Sequence, residues 1–422
     1  MKILFTNAQI LDFDKESLVL GSVEIDGDII SRVGTFDRLP KYDRVIDCKG
    51  NILMPGFVNA HAHTAMTILR SINDNTSLHK WLFDNVLPIE AKFTPEDIYY
   101  GQYLGVIESV RSGITTTEEG YYHNDQIDSV AKKSGIRARL GIGPSMQNNG
   151  MSNVEYLAKC AKQIKNDKLV QTNCFVHSIY TTSKKAIEEC VEFSKKHNTP
   201  LSIHLAETKK EVSDCLKEHN TTPTEYLNSL GFFDRPCLCY HAVHMTDKDI
   251  TILNEKSVSV ATCPSSNLKL GSGIAPVFKM HDMGINICIG TDGVASNNSL
   301  DMFKEMFLVA TLNKMDSDGE KYIPTIEVLK MATLNGAKAL GIDAGEIKAG
   351  KSADIILIDI NNPHYYPQDN LISHLVYAGK SSDVYLTMVA GKILYENGEY
   401  HIGTDKEEIY KKINIIRRSR NL

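Results

Sequence analysis

Apolar and polar positions along the chain fall into two textures. Near the start, Lys2 to Leu11 and Val23 to Val33 are short apolar runs, and Asp26-Gly27 marks a tight hairpin turn. The same texture returns near the end, in Ala353 to Ile360 and in Tyr385 to Glu399, which is broken at Ala390-Gly391 and Asn397-Gly398. Neither end alone buries much apolar surface. The pattern therefore suggests one small sheet domain assembled from both ends, residues 1–55 and 345–422; two independent β caps are the alternative. In residues 56–344 apolar runs alternate with stretches that can be helical. The runs are Phe57–Ala60, Ile114–Thr117, Arg137–Ile142, Cys174–Ser178, Leu201–Leu205, Leu238–Ala242, Val258–Thr262 and Ile285–Ile289. Two helix starts are well signalled. Thr94-Pro95-Glu96-Asp97 offers a capping threonine, proline at the first helical position and an acid at the third, and Thr246-Asp247-Lys248-Asp249 repeats the Thr-x-x-Asp pattern. Eight β/α units in roughly 240 residues is the count and length of an α/β (β/α)8 TIM-type barrel. An open doubly wound sheet has the same alternation, so the polar positions must arbitrate.

They favour the barrel, whose reactive groups sit at the C-terminal ends of several strands. The first run leads into His61-Ala62-His63, and residues two apart on a strand point the same way. The fifth run ends in His204-Leu205-Ala206-Glu207, the sixth reaches His241, and Asp292 follows the eighth. Singly, each has an ordinary reading: a surface histidine pair, a core histidine, an aspartate capping a turn. Together, histidines and a carboxylate at one barrel mouth are a ligand set suited to a borderline cation such as Zn²⁺.

Composition narrows the picture further. Of 422 residues, 42% are hydrophobic and 23% charged, which excludes a disordered chain. A net charge of -6 argues against a nucleic-acid partner, which calls for a basic face. A mean hydropathy of -0.21, with no long uncharged apolar run, argues against a membrane span. The start, Met1-Lys2-Ile3-Leu4-Phe5-Thr6-Asn7, lacks a small-residue cleavage site after an apolar core, so no secretion signal is expected. Nine scattered cysteines, an odd count, fit reduced thiols in a cytoplasm. The basic stretch from Lys411 to Arg420 reads as the solvated face of a terminal helix.

Three motifs, Pro55-Gly56-Phe57-Val58-Asn59-Ala60-His61-Ala62-His63, His204-Leu205-Ala206-Glu207-Thr208 and Ile289-Gly290-Thr291-Asp292-Gly293, resemble the amidohydrolase superfamily, and the similarity extends over essentially the whole chain. Within it, Trp81 to Glu90, Ser265 to Val277 and Asp292 to Asn298 are similar to the 5′-methylthioadenosine/S-adenosylhomocysteine deaminase group. Related deaminases and triazine hydrolases share much of the second stretch. The resemblance implies a barrel with a small β-sandwich built from both chain ends, and one divalent metal ion, Zn²⁺ by first choice with Fe²⁺ and Mn²⁺ as alternatives, held by His61, His63, His204 and Asp292. The fourth run ends in His177-Ser178, where bridged two-metal relatives place a carboxylated lysine, and this favours a single metal. Strand-end position prefers His241 over His244 as the further site histidine.

The chemistry implied is hydrolytic deamination. Asp292 ligates the metal and takes a proton from water, Glu207 protonates a ring nitrogen, and His241 holds the attacking oxygen. Carried over in the same way, Glu90 accepts from ribose hydroxyls, Trp81 packs on the sugar or 5′ group, and His177 and Ser296 complete the contacts. The group's arginines after the third strand have no counterpart in Gly141-Ile142-Gly143-Pro144-Ser145-Met146. The expected substrates are therefore adenine nucleosides with a neutral 5′ end, ahead of S-adenosylhomocysteine. The runner-up enzyme acts on guanine, cytosine-like or triazine rings, and a silent binding scaffold is a rival from another class. A second class of zinc deaminase is excluded: no His-x-Glu occurs, and Pro236-Cys237-Leu238-Cys239 is one residue short of Pro-Cys-x-x-Cys. Gly141-Ile142-Gly143 reads as a close-packed strand end and not as a phosphate loop. The partner is a small-molecule nucleoside; homo-oligomerisation is left open.

Overall fold

In the computed structural model, residues 1–36, 41–144, 153–163, 167–315 and 320–422 are described. Eight parallel strands pair in sequence order: β1 (Phe57–Ala62), β2 (Ile114–Glu119), β3 (Arg137–Ile142), β4 (Val170–Val176), β5 (Leu201–Leu205), β6 (Cys237–His241), β7 (Ser259–Thr262) and β8 (Ile287–Ile289). Every residue of β1, β2 and β3 is buried, as expected of parallel strands covered on both faces by helices. The one large departure from the apolar pattern is β4, which starts at Val170 rather than Cys174. Gln171 and Asn173 interrupt the apolar run, and Asn173 is a polar group inside the barrel, donating to Glu118 Oε1 at 2.7 Å.

No ladder joins β8 to β1 among the described strands; side chains and single bonds close the barrel instead. Asn59 accepts from the Thr291 amide at 2.9 Å and donates to Thr291 Oγ1 at 2.7 Å, and the Asp292 amide donates to the His61 carbonyl at 2.9 Å. Gly290 permits this approach: a Cβ there would sit 2.7 Å from His61 Cβ and 2.9 Å from its backbone nitrogen.

The two chain ends share a nine-stranded sheet. Its centre is the antiparallel pair Ile52–Pro55 and Ile355–Ile358, with Leu53 opposite Leu357. Alternation along these strands divides their side chains between two cores. Ile52, Met54, Ile356 and Ile358 join the barrel's core, while Leu53, Ile355 and Leu357 pack with Ile3, Phe5, Val23, Leu386 and Met388. The expected sandwich is thus one continuous hydrogen-bonded sheet whose arms share a core. Its second hairpin turns one residue later than the sequence suggests, on Gly27-Asp28, with Gly27 at φ +66°.

Both helix starts carry full capping boxes, Thr94 with Asp97 ahead of Pro95–Arg111, and Thr246 with Asp249 ahead of Asp247–Glu255. The C-terminal helix Lys406–Ser419 buries Ile409, Ile413 and Ile416. Its basic face is less free than the sequence suggests: Arg417 donates to the Ile68 and Arg70 carbonyls, and Arg420 pairs with Asp97 at 2.6 Å. All nine cysteines are free, and among the described residues no helix is long and apolar enough to cross a membrane.

Candidate active site

The strand ends converge on one cluster. Asp292 Oδ1 lies 3.3 Å from His61 Nε2 and 3.4 Å from His63 Nε2, and ring nitrogens of His61, His204 and His241 lie within 4.8 Å of one another. Left-handed backbone at Ala206 (φ +47°), His241 (φ +71°), Ala242 (φ +46°) and Asp292 (φ +60°) marks the same strand ends. For residues with a Cβ such conformations are costly, of order 1–3 kcal/mol each, and they concentrate at functional sites. At His241 the effect is direct. Tyr240 packs on His61 within the barrel, and the turned backbone brings its neighbour His241 into the same site, where strict alternation would send it to the opposite face.

Each imidazole is oriented from behind. His63 Nδ1 faces the Gly120 carbonyl at 2.5 Å and His204 Nδ1 faces the His177 carbonyl at 2.6 Å, so both rings present Nε2 to the cluster. His241 Nδ1 is 2.8 Å from Asn267 Oδ1. His61 differs. It is fully buried, and neither ring nitrogen has a hydrogen-bond partner. Burial pushes its pKa down to about 3, and burial likewise holds His204 well below its ordinary value, so both are neutral lone-pair donors. Burial alone would raise the Asp292 carboxyl, but His61, His241 and His63 around it hold it well below the usual range. A neutral, orphaned imidazole beside an ionised carboxylate fits a divalent cation.

Beyond the cluster opens a cavity of about 610 Å³, a volume ordinary for a small-molecule site. His63, His204, Glu207, His241 and Asp292 line one end. Glu207 is buried, with Oε2 3.9 Å from His241 Nε2 and Oε1 accepting from Ser272 Oγ at 3.2 Å. Burial raises its pKa; it also acts to lower that of His241, where the charges of Glu207 and Asp292 win and the net shift is upward. Trp81 and Glu90 belong to the rest of the lining, with Leu78, Leu82, Phe83 and Tyr156. Glu90 accepts from the Tyr121 hydroxyl, and burial still raises its carboxyl to about 7. His177 also lines the cavity, its Nδ1 2.8 Å from Thr181 Oγ1, and burial lowers it to about 4.

Two residues singled out from the sequence lie elsewhere. Ser296 is buried behind Asp292, donating to its Oδ2 at 2.9 Å, and is not among the cavity-lining side chains. His244 points away, its Nε2 2.7 Å from the Ser272 carbonyl. Of the stretch after β3, Gly143 and Pro144 line the cavity, whereas Ser145 and Met146 lie outside the described residues. The structure adds supports with no separate sequence signal. Ser266 donates to Asp292 Oδ2 at 2.5 Å, and Glu211 accepts from the Ala206 and Glu207 amides at 2.9 Å, bracing the strained turn that carries Glu207.

Residues 52–394 match the sequence model of the amidohydrolase family. The chain belongs to that family. Across its whole length this amidohydrolase is 39% identical to a 5-methylthioadenosine/S-adenosylhomocysteine deaminase of Thermoanaerobacter pseudethanolicus, covering 99% of that protein. It is 40% identical, over 87% of its own length and 88% of the relative's, to a 5′-deoxyadenosine deaminase of Methanosphaera stadtmanae. Among solved structures, an adenosine deaminase from Xanthomonas campestris with bound zinc superposes with a TM-score of 0.94 at 30% identity, over 99% of this chain and 98% of that one. The amidohydrolase thus carries its family's barrel, an end-to-end sheet and a cluster able to hold a divalent metal.

Proposed function

We propose that this amidohydrolase hydrolytically deaminates adenine nucleosides, converting them to inosine analogues with release of ammonia. The observation that carries the proposal is one cavity lined both by a buried carboxyl, Glu207, beside a metal-type cluster and by a second buried carboxyl, Glu90. The names of the relatives support it, since they act on this substrate class. His61, His63, His204 and Asp292 would hold one Zn²⁺. When bound, such an ion lowers the pKa of a site water from about 15.7 to about 7.

The chain's own groups do the rest. Asp292 accepts a proton from the attacking water, whose oxygen His241 orients. Glu207, whose protonated form burial favours, gives its proton to the ring nitrogen as the oxygen bonds to the adjacent carbon. The resulting tetrahedral carbon expels its amine as ammonia once Asp292 returns the water's proton, and the hydroxyl's remaining proton passes to Glu207 as the carbonyl forms. Glu90 accepts from the ribose hydroxyls with its oxygen that Tyr121 leaves free, Trp81 covers the sugar, and His177 flanks the base. Ser296, behind Asp292, takes the role of orienting that carboxylate.

At the far end Leu78, Leu82, Phe83 and Tyr156 are apolar or neutral, and no lysine or arginine lines the cavity among the described residues. Residues 145–152 carry no cationic side chain in sequence either. This favours 5′-methylthioadenosine, 5′-deoxyadenosine and adenosine over S-adenosylhomocysteine. The test is an ammonia-release panel over these four, guanine and cytosine. Turnover of the neutral nucleosides above the rest is expected. Guanine or cytosine outpacing every nucleoside overturns the proposal, and S-adenosylhomocysteine matching 5′-methylthioadenosine in kcat/KM overturns the 5′ preference.

A further inference from the structure

Three of the four clustered imidazoles are fixed by a hydrogen bond at Nδ1, and His61 is not. What holds it is a ring. Tyr240, fully buried on β6, stacks on His61 with centroids 3.8 Å apart and planes inclined by 22°. The Tyr240 hydroxyl donates at 2.9 Å to Glu118 Oε1 on β2, across the barrel interior. The same oxygen accepts from Asn173 Nδ2 on β4 at 2.7 Å, and that amide also reaches Ser202 Oγ on β5 at 2.6 Å. A buried carboxyl is costly unless it is matched, and Glu118 has the Tyr240 and Asn173 donors and the charge of the buried Arg139. Nothing in the proposed reaction touches Glu118, and its bond to the Tyr240 hydroxyl ties the ring that faces His61 to β2 and β4.

We propose that Tyr240, anchored by Glu118, is the positioning residue for His61, doing by face-to-face stacking what a hydrogen-bonded outer partner does for the other rings. The inference rests on the assignment of His61 as a metal ligand. Its geometric content is that the phenol fixes the tilt of the imidazole plane, and the hydroxyl bond fixes the phenol. Outer partners of metal-bound histidines are typically worth about 10–100-fold in metal affinity or activity.

The experiment compares the parent holoenzyme with Tyr240→Leu, Tyr240→Phe and Leu238→Ala; Leu238 lies on the same strand and in the same interior cluster. Two readouts other than turnover are used: the rate of Zn²⁺ release from folded protein to a chromophoric chelator, and the visible spectrum of the Co²⁺-substituted form, which reports ligand geometry. Tyr240→Leu is expected to release Zn²⁺ about 10–100-fold faster and to alter the Co²⁺ spectrum, whereas Leu238→Ala leaves both unchanged. Equal changes in the two variants would mean a generic packing effect and overturn the proposal. If Tyr240→Leu does not fold, Tyr240→Phe decides, because it keeps the ring and cuts the tie to Glu118: faster release supports the anchor and parental release overturns it. A parent chain that binds no stoichiometric metal sinks the ligand assignment itself. Tight parental binding with indifferent Tyr240 variants sinks only the present inference.

Discussion

The two ends of the cavity are built on different principles. At the cluster end, every reactive side chain stands on or directly after a barrel strand, and its orientation is fixed from behind by a carbonyl, an amide, a hydroxyl or a ring. At the Trp81 end, the walls come from the connection between β1 and the next long helix and from segments beyond β3 and β4, and most are apolar side chains without polar anchors. Chemistry needs positions held within about half an ångström, which strands supply; selection among substrates needs only shape and a few polar contacts, which loops can vary. Changes at the first end should therefore be all-or-none, and changes at the second graded.

The largest effect expected is that of Asp292→Ala. It removes the carboxylate that neutralises the cluster, and the chain should lose both stoichiometric metal and measurable ammonia release. Metal analysis after desalting checks this; a metal-replete, active variant would move the ligand assignment elsewhere. Glu207→Gln comes next. It keeps the shape and the Ser272 contact but cannot donate the proton, so kcat should fall by about 10²–10⁴-fold while metal content stays at the parental level. Near-normal turnover removes Glu207 from the acid role.

The cluster end was also the more legible in sequence. His61, His63, His204, His241 and Asp292 stand out because a histidine or aspartate at the end of an apolar run is chemically conspicuous wherever the barrel then carries it. Their supports were not. Ser266 reaches Asp292 and Tyr121 reaches Glu90 across separations of 26 and 31 residues, and a serine or tyrosine hydroxyl gives no hint of its acceptor before the chain closes. Ser296 shows the converse: it sits in a conspicuous motif, yet the short helix after Gly293 turns its hydroxyl back onto Asp292. Fold class was readable from periodicity plus the placement of polar residues, but the closure of β8 on β1 through Asn59 depends on side-chain bonds that periodicity does not encode.

At the far end, Glu90→Gln sharpens the contrast. Loss of hydrogen bonds to a charged acceptor is worth about 1.5–3 kcal/mol, so kcat/KM for adenosine should drop roughly 10–100-fold, mainly through KM, with little change for 2′,3′-dideoxyadenosine. Equal losses for both would detach Glu90 from the ribose. The same variant has a pH signature. Burial raises the Glu90 carboxyl from 4.5 to about 7, so between those values the native state binds more protons than the unfolded chain. Its contribution to stability is present below 4.5 and is lost as pH rises towards 7. The glutamine variant stays neutral throughout, so its Tm should gain on the parent's between pH 4.5 and 7 and hold a constant lead above that. A constant difference across the whole range would mean that the carboxyl is not held up in the folded protein.

The smallest effect tests whether the loop-built end can be retuned without touching the chemistry. Tyr180 stands at the cavity wall and is 43% exposed, so a longer cationic side chain there can be accommodated with its charge in water. Tyr180→Arg places a guanidinium on the cavity wall, where the amino-acid carboxylate of S-adenosylhomocysteine can pair with it. A solvent-exposed ion pair is worth about 0.2–1 kcal/mol, so the ratio of kcat/KM for S-adenosylhomocysteine to that for 5′-methylthioadenosine should rise by about 1.4- to 5-fold, and should shrink again at high salt as the pair is screened. Turnover of 5′-methylthioadenosine itself should be nearly unchanged, because the Tyr180 hydroxyl pairs with Ser178 and a guanidinium held in water is screened from Glu207. A matching loss of kcat on both substrates would show that the wall and the cluster are mechanically coupled, and the division between a rigid chemical end and an adjustable selective end would then fail.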